Sequence, residues 1–239
     1  VTTAKKPLPK IAQPIYEMTL PSNGKIVRFR PFTVKEEKLL MMAMETKAPS
    51  DIYSVYTQII NNCIVDDIDV DEMAVVDIEL FFLRLRARSV SNVAEFLITD
   101  ASDQKEYKVS VNLDEVNASI AEGHTNVIKL TDMLSVRMRY PTFKDAEAYS
   151  RMNQIDAAQA TKMLFRSCID VIFTDDEVYD PRDYDDAQLE EFFDGFRRPQ
   201  LEAIERFVVT MPVIRHTVEY TREDGTAASL ELVGIDSFF

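Results

Sequence analysis

Tryptophan is absent from this chain, glycine occurs five times, and cysteine and histidine occur twice each in 239 residues. Each scarcity removes a class of chemistry. So few glycines leave no phosphate-cradling loop, and neither a GxGxxG nor a Walker-type pattern is present. Cys63 and Cys168 cannot build a disulfide framework and fit a reducing cytoplasm. Together with His124 and His216 they show no ligand-pair spacing of the kind zinc requires. No apolar run approaches the ~20 residues of a membrane span, and the first residues lack the apolar stretch of a signal peptide. Basic blocks are missing as well. The net charge of -14 therefore repels a polyanion, and nucleic acid is excluded as an expected partner.

What is present is a core. Hydrophobic residues make up 46% of the chain, enough to fill one large domain or two of ordinary size. Residues 1–15, with three lysines, three prolines and no acid, read as an extended N-terminal arm: a solvated tail, or a basic arm laid over a partner. From Tyr16, "YEMTL" and "KIVRFRPF" flank "PSNG", an Asn-Gly hairpin turn. Thr33, three residues before Glu36, predicts a capping box at the start of a helix. A second helix is expected through Tyr56, Ile59, Ile60 and Cys63. A third carries Ile78, Phe81, Phe82 and Leu85 at i, i+3, i+4 and i+7. A strand pair, "NVAEFLI" and "YKVSVNL", follows.

The order then begins again about 110 residues further along. "NVIKL" and "SVRMRYPTF" repeat the hairpin, Thr142 and Asp145 repeat the cap, and "AAQATKMLFRSCIDVIF" reads as the second helix with its cysteine. Leu189, Phe192, Phe193 and Phe196 repeat the third stripe, "RRPQLEAIERFVVTM" adds a helix, and "IRHTVEYT" with "ASLELVGI" closes the unit. The expected architecture is α+β, in two tandem similar units at 16–123 and 124–239. Each has a β-hairpin, about three helices and a second strand pair.

Candidate sites are few. The acidic loops "DDIDVDE" and "TDDEVYDPRDYDD" fail the calcium-loop pattern, because from Asp67 the sixth position is Glu72 and the twelfth Ile78. No Ser, Cys or His stands in a catalytic arrangement, so no catalytic, metal or cofactor residue is assigned and no enzyme is expected. Two pairs of arginines, Arg28 and Arg30 in the first hairpin and Arg137 and Arg139 in the second, are candidate ion-pair or interface residues. An excess of 41 acids over 27 bases favours carboxylates of the same chain or of another copy over an external ligand. Phe238 and Phe239 close the chain, and terminal aromatics are expected to dock on their own core or on a neighbour.

"RFRPFTVKEEKLL", the "INNC" helix, "ELFFLRLRARSV" and the closing Phe-Phe resemble the baseplate hub subunit family of T-even-type contractile-tailed bacteriophages. The likeness is densest over residues 16–98 and at the C-terminus. It implies a structural protein of the tail baseplate, made and assembled in the host cytoplasm, with other baseplate and tail proteins and further copies of itself as partners. The alternative within the same family is a hub assembly chaperone absent from the finished virion. An acidic host-side enzyme or regulatory domain is the reading of a different class, and it requires a concave pocket with a perturbed carboxylate or histidine.

Overall fold

A computed structural model describes residues 11–46 and 49–238. The N-terminal arm expected at 1–15 lies mostly outside the described residues, as does Phe239. The fold is α+β. Strands β1 (Tyr16–Thr19) and β2 (Ile26–Phe29) form an antiparallel hairpin. Gly24 takes φ 72° at its turn, a left-handed conformation that suits glycine. Val27 and Phe29 are buried while Ile26 and Arg28 are exposed, the period of two expected of a half-buried strand.

Helices α1 (Val34–Thr46), α2 (Pro49–Cys63) and α3 (Val75–Ser89) follow. Helix α3 is the centre of the first core. Ile78, Phe81, Phe82 and Leu85 are all buried; Phe81 meets Phe29 at 5.0 Å between ring centroids and Phe82 meets Tyr56 at 4.2 Å. Strands β3 (Val93–Thr99) and β4 (Glu106–Asn112) pair antiparallel, and β5 (Asn117–Ser119) follows.

A second core gathers around β6 (Val127–Lys129), β7 (Ser135–Met138), α5 (Ala157–Ser167), β8 (Ile169–Phe173), β9 (Val178–Tyr179), α6 (Asp186–Asp194) and α7 (Arg198–Thr210), while α4 (Phe143–Asn153) buries no residue fully and packs Phe143 against the first core. Its strands form one antiparallel sheet in the order β6-β7-β8-β9. Here the expectation of one long helix through "AAQATKMLFRSCIDVIF" is corrected. Helix α5 ends with Cys168 as its cap, and Ile169–Phe173 is a strand against β7. Three β-branched residues and a phenylalanine in five favour a strand once β7 offers an edge.

Packing departs from chain order at the end of the molecule. The hairpin of β10 (Val213–Thr221) and β11 (Ala227–Val233) adds to β5 in a sheet ordered β11-β10-β5. Ile214, Val218, Leu232 and Phe238 all belong to the first core, not the second. The two cores meet at Tyr140, which packs against both, and Val75 N–H donates to the Pro141 carbonyl at 3.0 Å.

Candidate interaction sites

The four arginines sit where their strands hand over to helices, and each meets a carboxylate of its own chain. Arg28 donates through Nε and Nη2 to Asp66 Oδ1 at 2.9 and 2.7 Å, while its main-chain N–H reaches Oδ2 at 2.6 Å. In the second hairpin Arg137 Nε donates to Asp170 Oδ2 at 2.8 Å. The inner arginines are more enclosed. Arg30 Nη2 reaches Glu36 Oε1 at 3.0 Å and the Asn62 carbonyl at 2.8 Å. Arg139 forks onto Asp145, with Nη1 at 2.7 Å and Nη2 at 3.2 Å.

The same surroundings recur at both joints. Arg30 N–H donates to the Cys63 carbonyl at 2.9 Å, and Arg139 N–H to the Cys168 carbonyl at 2.7 Å. Glu36 accepts from the Thr33 amide at 2.8 Å and from its hydroxyl at 2.5 Å. Asp145 accepts from the Thr142 amide at 2.8 Å and hydroxyl at 2.9 Å, and its own N–H returns to Thr142 Oγ1 at 3.4 Å, closing a capping box. Each acid therefore caps a helix and neutralises an arginine together. Burial by itself raises the Glu36 carboxyl, but the Thr33 donors and Arg30 outweigh it and hold the group at about 2. Asp145 is lowered by the same balance of burial against Arg139 and Thr142. Burial pushes the Cys63 thiol up to about 11 and Cys168 up to about 12, which leaves both in the unreactive thiol form.

Three further polar sites carry no strong sequence signal. In the first, Asp77 is buried in the first turn of α3 and accepts from Ser22 N–H at 2.8 Å, with the Ser22 hydroxyl on its other oxygen. That contact ties the β1–β2 turn to the positive end of a helix, although burial still raises the Asp77 carboxyl.

The second site joins two hairpin tips. Asp100, nearly buried, accepts from Tyr220 Oη and Arg222 Nε at 2.7 Å each, and from Ser102 N–H at 2.8 Å and Oγ at 2.7 Å. These donors, Arg222 foremost, hold its carboxyl well below the usual range. Beside it Tyr107 and Tyr220 lie 5.2 Å apart, and Lys105 pairs with Glu223. The one trace in sequence is the Asp-Ala-Ser start of the β3–β4 turn, whose aspartate bonds the amide two residues on.

The third site lies where the cores meet. Thr210 Oγ1 donates to the Arg206 carbonyl at 2.6 Å, so it accepts from His124 Nδ1–H at 2.9 Å. Nε2 is then left to accept from Tyr140 Oη at 2.9 Å. Tyr140 stacks with both His124 and Phe207, His124 lies tilted against Phe207 at 5.2 Å between centroids, and burial lowers the imidazole.

Phe238 is 1% exposed and packs in the first core. Two of the clefts among the described residues are lined largely by charged side chains. One of about 640 Å³ is lined by Arg139, Lys162, Arg166 and Arg182 with acids between them, and one of about 530 Å³ runs between the cores beside Asp67, Asp77, Arg137 and Tyr140. Among the described residues no group of acids, histidines or cysteines is arranged to hold a metal ion, and no helix is long and apolar enough to cross a membrane.

Comparison with known proteins places the chain. No curated protein and no solved structure matches it. A family described as T4 bacteriophage base plate protein matches residues 13–239, through both hairpins, both cores and the C-terminus. The chain belongs to the T4 bacteriophage base plate protein family.

Proposed function

We propose that this chain is a structural protein of the central hub region of the phage tail baseplate, acting through protein–protein contacts in tail assembly and not as an enzyme. Membership of the base plate family carries the baseplate role. The hub position rests on the likeness of "RFRPFTVKEEKLL", "INNC", "ELFFLRLRARSV" and the closing Phe-Phe to hub subunits. We also read residues 16–123 and 124–239 as a tandem duplication. The recurrence of arginine, capping acid, threonine and cysteine carbonyl at the two joints supports it.

In this reading Arg28, Arg30, Arg137 and Arg139 serve the chain's own joints, and partners are met elsewhere. The N-terminal arm and the exposed strand edges remain the surfaces for other tail proteins, while Phe238 is spent on the chain's own first core, and assembly takes place in the host cytoplasm. Quantitative mass spectrometry of purified virions tests the role. A fixed copy number per tail is expected. Absence from virions whose formation nonetheless requires the gene makes the chain an assembly chaperone instead.

A further inference from the structure

We infer that the groove between β9 and the start of α6 binds the proline-rich basic arm, residues 5–11, of a second copy of this chain. The groove holds about 520 Å³ and is lined by Leu134, Ile172, Tyr179, Tyr184, Leu189 and Phe192. Its three aromatic residues are all part-exposed, Tyr184 at 37%, so the groove is apolar and uncovered.

Acids surround these rings. Glu191 belongs to the lining, and Tyr179 Oη donates to Glu177. Thr174 N–H closes the β8–β9 turn on the Glu177 carbonyl at 2.8 Å, and Asp175, Asp176 and Glu177 in that turn are exposed. Asp183 and Asp185 are exposed on either side of Tyr184 in the chain. Arg182 of the same loop is held by Asp180, with Nε at 2.8 Å from Oδ1.

Such a groove selects a ligand that is apolar, cationic and already extended. Residues 5–11, "KKPLPKI", carry three lysines, two prolines and no acid. Proline holds a run of this kind near the polyproline conformation, which docks on aromatic grooves at little entropic cost. At three residues per turn Leu8 and Ile11 share an edge, and Ile11 is 86% exposed, so apolar burial is still to be gained there. Lys5, Lys6 and Lys10 flank Pro7-Leu8-Pro9 on both sides, as the acids flank the rings.

Rival surfaces suit this ligand less. The clefts of about 640 and 530 Å³ are each lined by three or more lysines and arginines, and a smaller one of about 380 Å³ has Lys162. The lining of the β9–α6 groove has no cation. Open strand edges need a row of N–H donors, which Pro7 and Pro9 do not supply.

The direction of the chain assigns the arm to a second copy. Helix α3 touches the second unit at its first residue, where Val75 bonds to Pro141, while Arg88 near its other end lies over the Tyr16 ring. Those ends are about 20 Å apart. Strand β1 runs from Tyr16 towards a turn whose Ser22 is bonded to Asp77 in the first turn of α3, so the chain before Tyr16 leaves away from the second unit. The seven residues from Pro9 to Tyr16 reach about 23 Å when fully extended. Returning to the joint uses nearly all of that, and β9 lies two strands beyond β7.

Carbodiimide cross-linking joins lysine amines to the carboxylates they touch. The full chain is used, with isotope-labelled and unlabelled protein mixed dilute and then concentrated. Mass spectrometry should find Lys5, Lys6 or Lys10 joined to Glu177, Asp185 or Glu191 in products that combine the two isotopes. Sedimentation velocity should show self-association that weakens with salt. Tyr184 is exposed in the loop before α6, so Tyr184→Ala keeps the fold, and it should weaken that association about tenfold or more. Arm links to other acids, links within one isotope alone, a wild-type chain that stays monomeric, or a Tyr184→Ala variant that associates like wild type each overturns the inference. The baseplate role does not depend on it.

Discussion

Replacing Glu36 by glutamine isolates the charge at the first strand-to-helix joint. Glutamine keeps the shape and one oxygen for the Thr33 amide, but it loses the ion pair with Arg30. The wild-type carboxyl falls from 4.5 to about 2 on folding. At about 1.4 kcal/mol for each tenfold change in proton affinity, the charged form contributes about 3 kcal/mol at neutral pH. Arg30 keeps the carbonyls of Pro31 and Asn62, so the guanidinium is not stranded in the variant. Glu36→Gln should then be less stable by about 2–3 kcal/mol at pH 7. Because the folded value lies below the unfolded one, the contribution is complete above pH 4.5 and disappears as pH falls towards about 2. Wild type and variant should therefore converge in acid. Urea unfolding followed by far-ultraviolet circular dichroism at a series of pH values measures this. A gap between the two proteins that stays constant across the range refutes the reasoning.

The remaining expectations concern the other joints. Arg137→Ala should cost no more than about 1 kcal/mol in the same urea assay, because its pair with Asp170 is largely exposed. Cys63 and Cys168 should resist a thiol reagent in the native protein and react once it is unfolded; prompt native reaction of either contradicts their burial. Asp100→Asn should speed amide exchange in β10 and β11 with little change around α5, since it releases Arg222 at the joined tips. His124 has a folded value below its ordinary one, so its protonation costs stability as pH falls below about 6.5. His124→Asn should flatten the stability profile between pH 7 and 5, and an unchanged slope counts against the contact.

Local pattern was legible in the sequence. The Asn-Gly turn, the stripe of Phe81 and Phe82 and the Thr142 capping box follow from periods and side-chain chemistry that act within a few residues and stand where expected, while at Thr33 the bonds seen are those Thr33 gives to the Glu36 carboxylate. What escaped depends on distant partners. Ile169–Phe173 becomes a strand because β7 lies beside it, which no local window contains. The closing hairpin joins the first core because β5 gives β10 an edge across some hundred residues of chain. Asp100 was hidden by abundance. With 41 acids, an aspartate becomes conspicuous only once Tyr220 and Arg222 are seen around it. The arginines stood out early, but their partners split into a near acid six residues on and a far one reached through folding.

The measurement closest to the central claim is a reconstruction of intact tails at side-chain resolution. It is expected to place this chain at the centre of the baseplate. Arg28, Arg30, Arg137 and Arg139 should still be held by Asp66, Glu36, Asp170 and Asp145, with neighbouring proteins seated on strand edges. A tail without the chain, or a neighbour's carboxylates on those four arginines, contradicts the account.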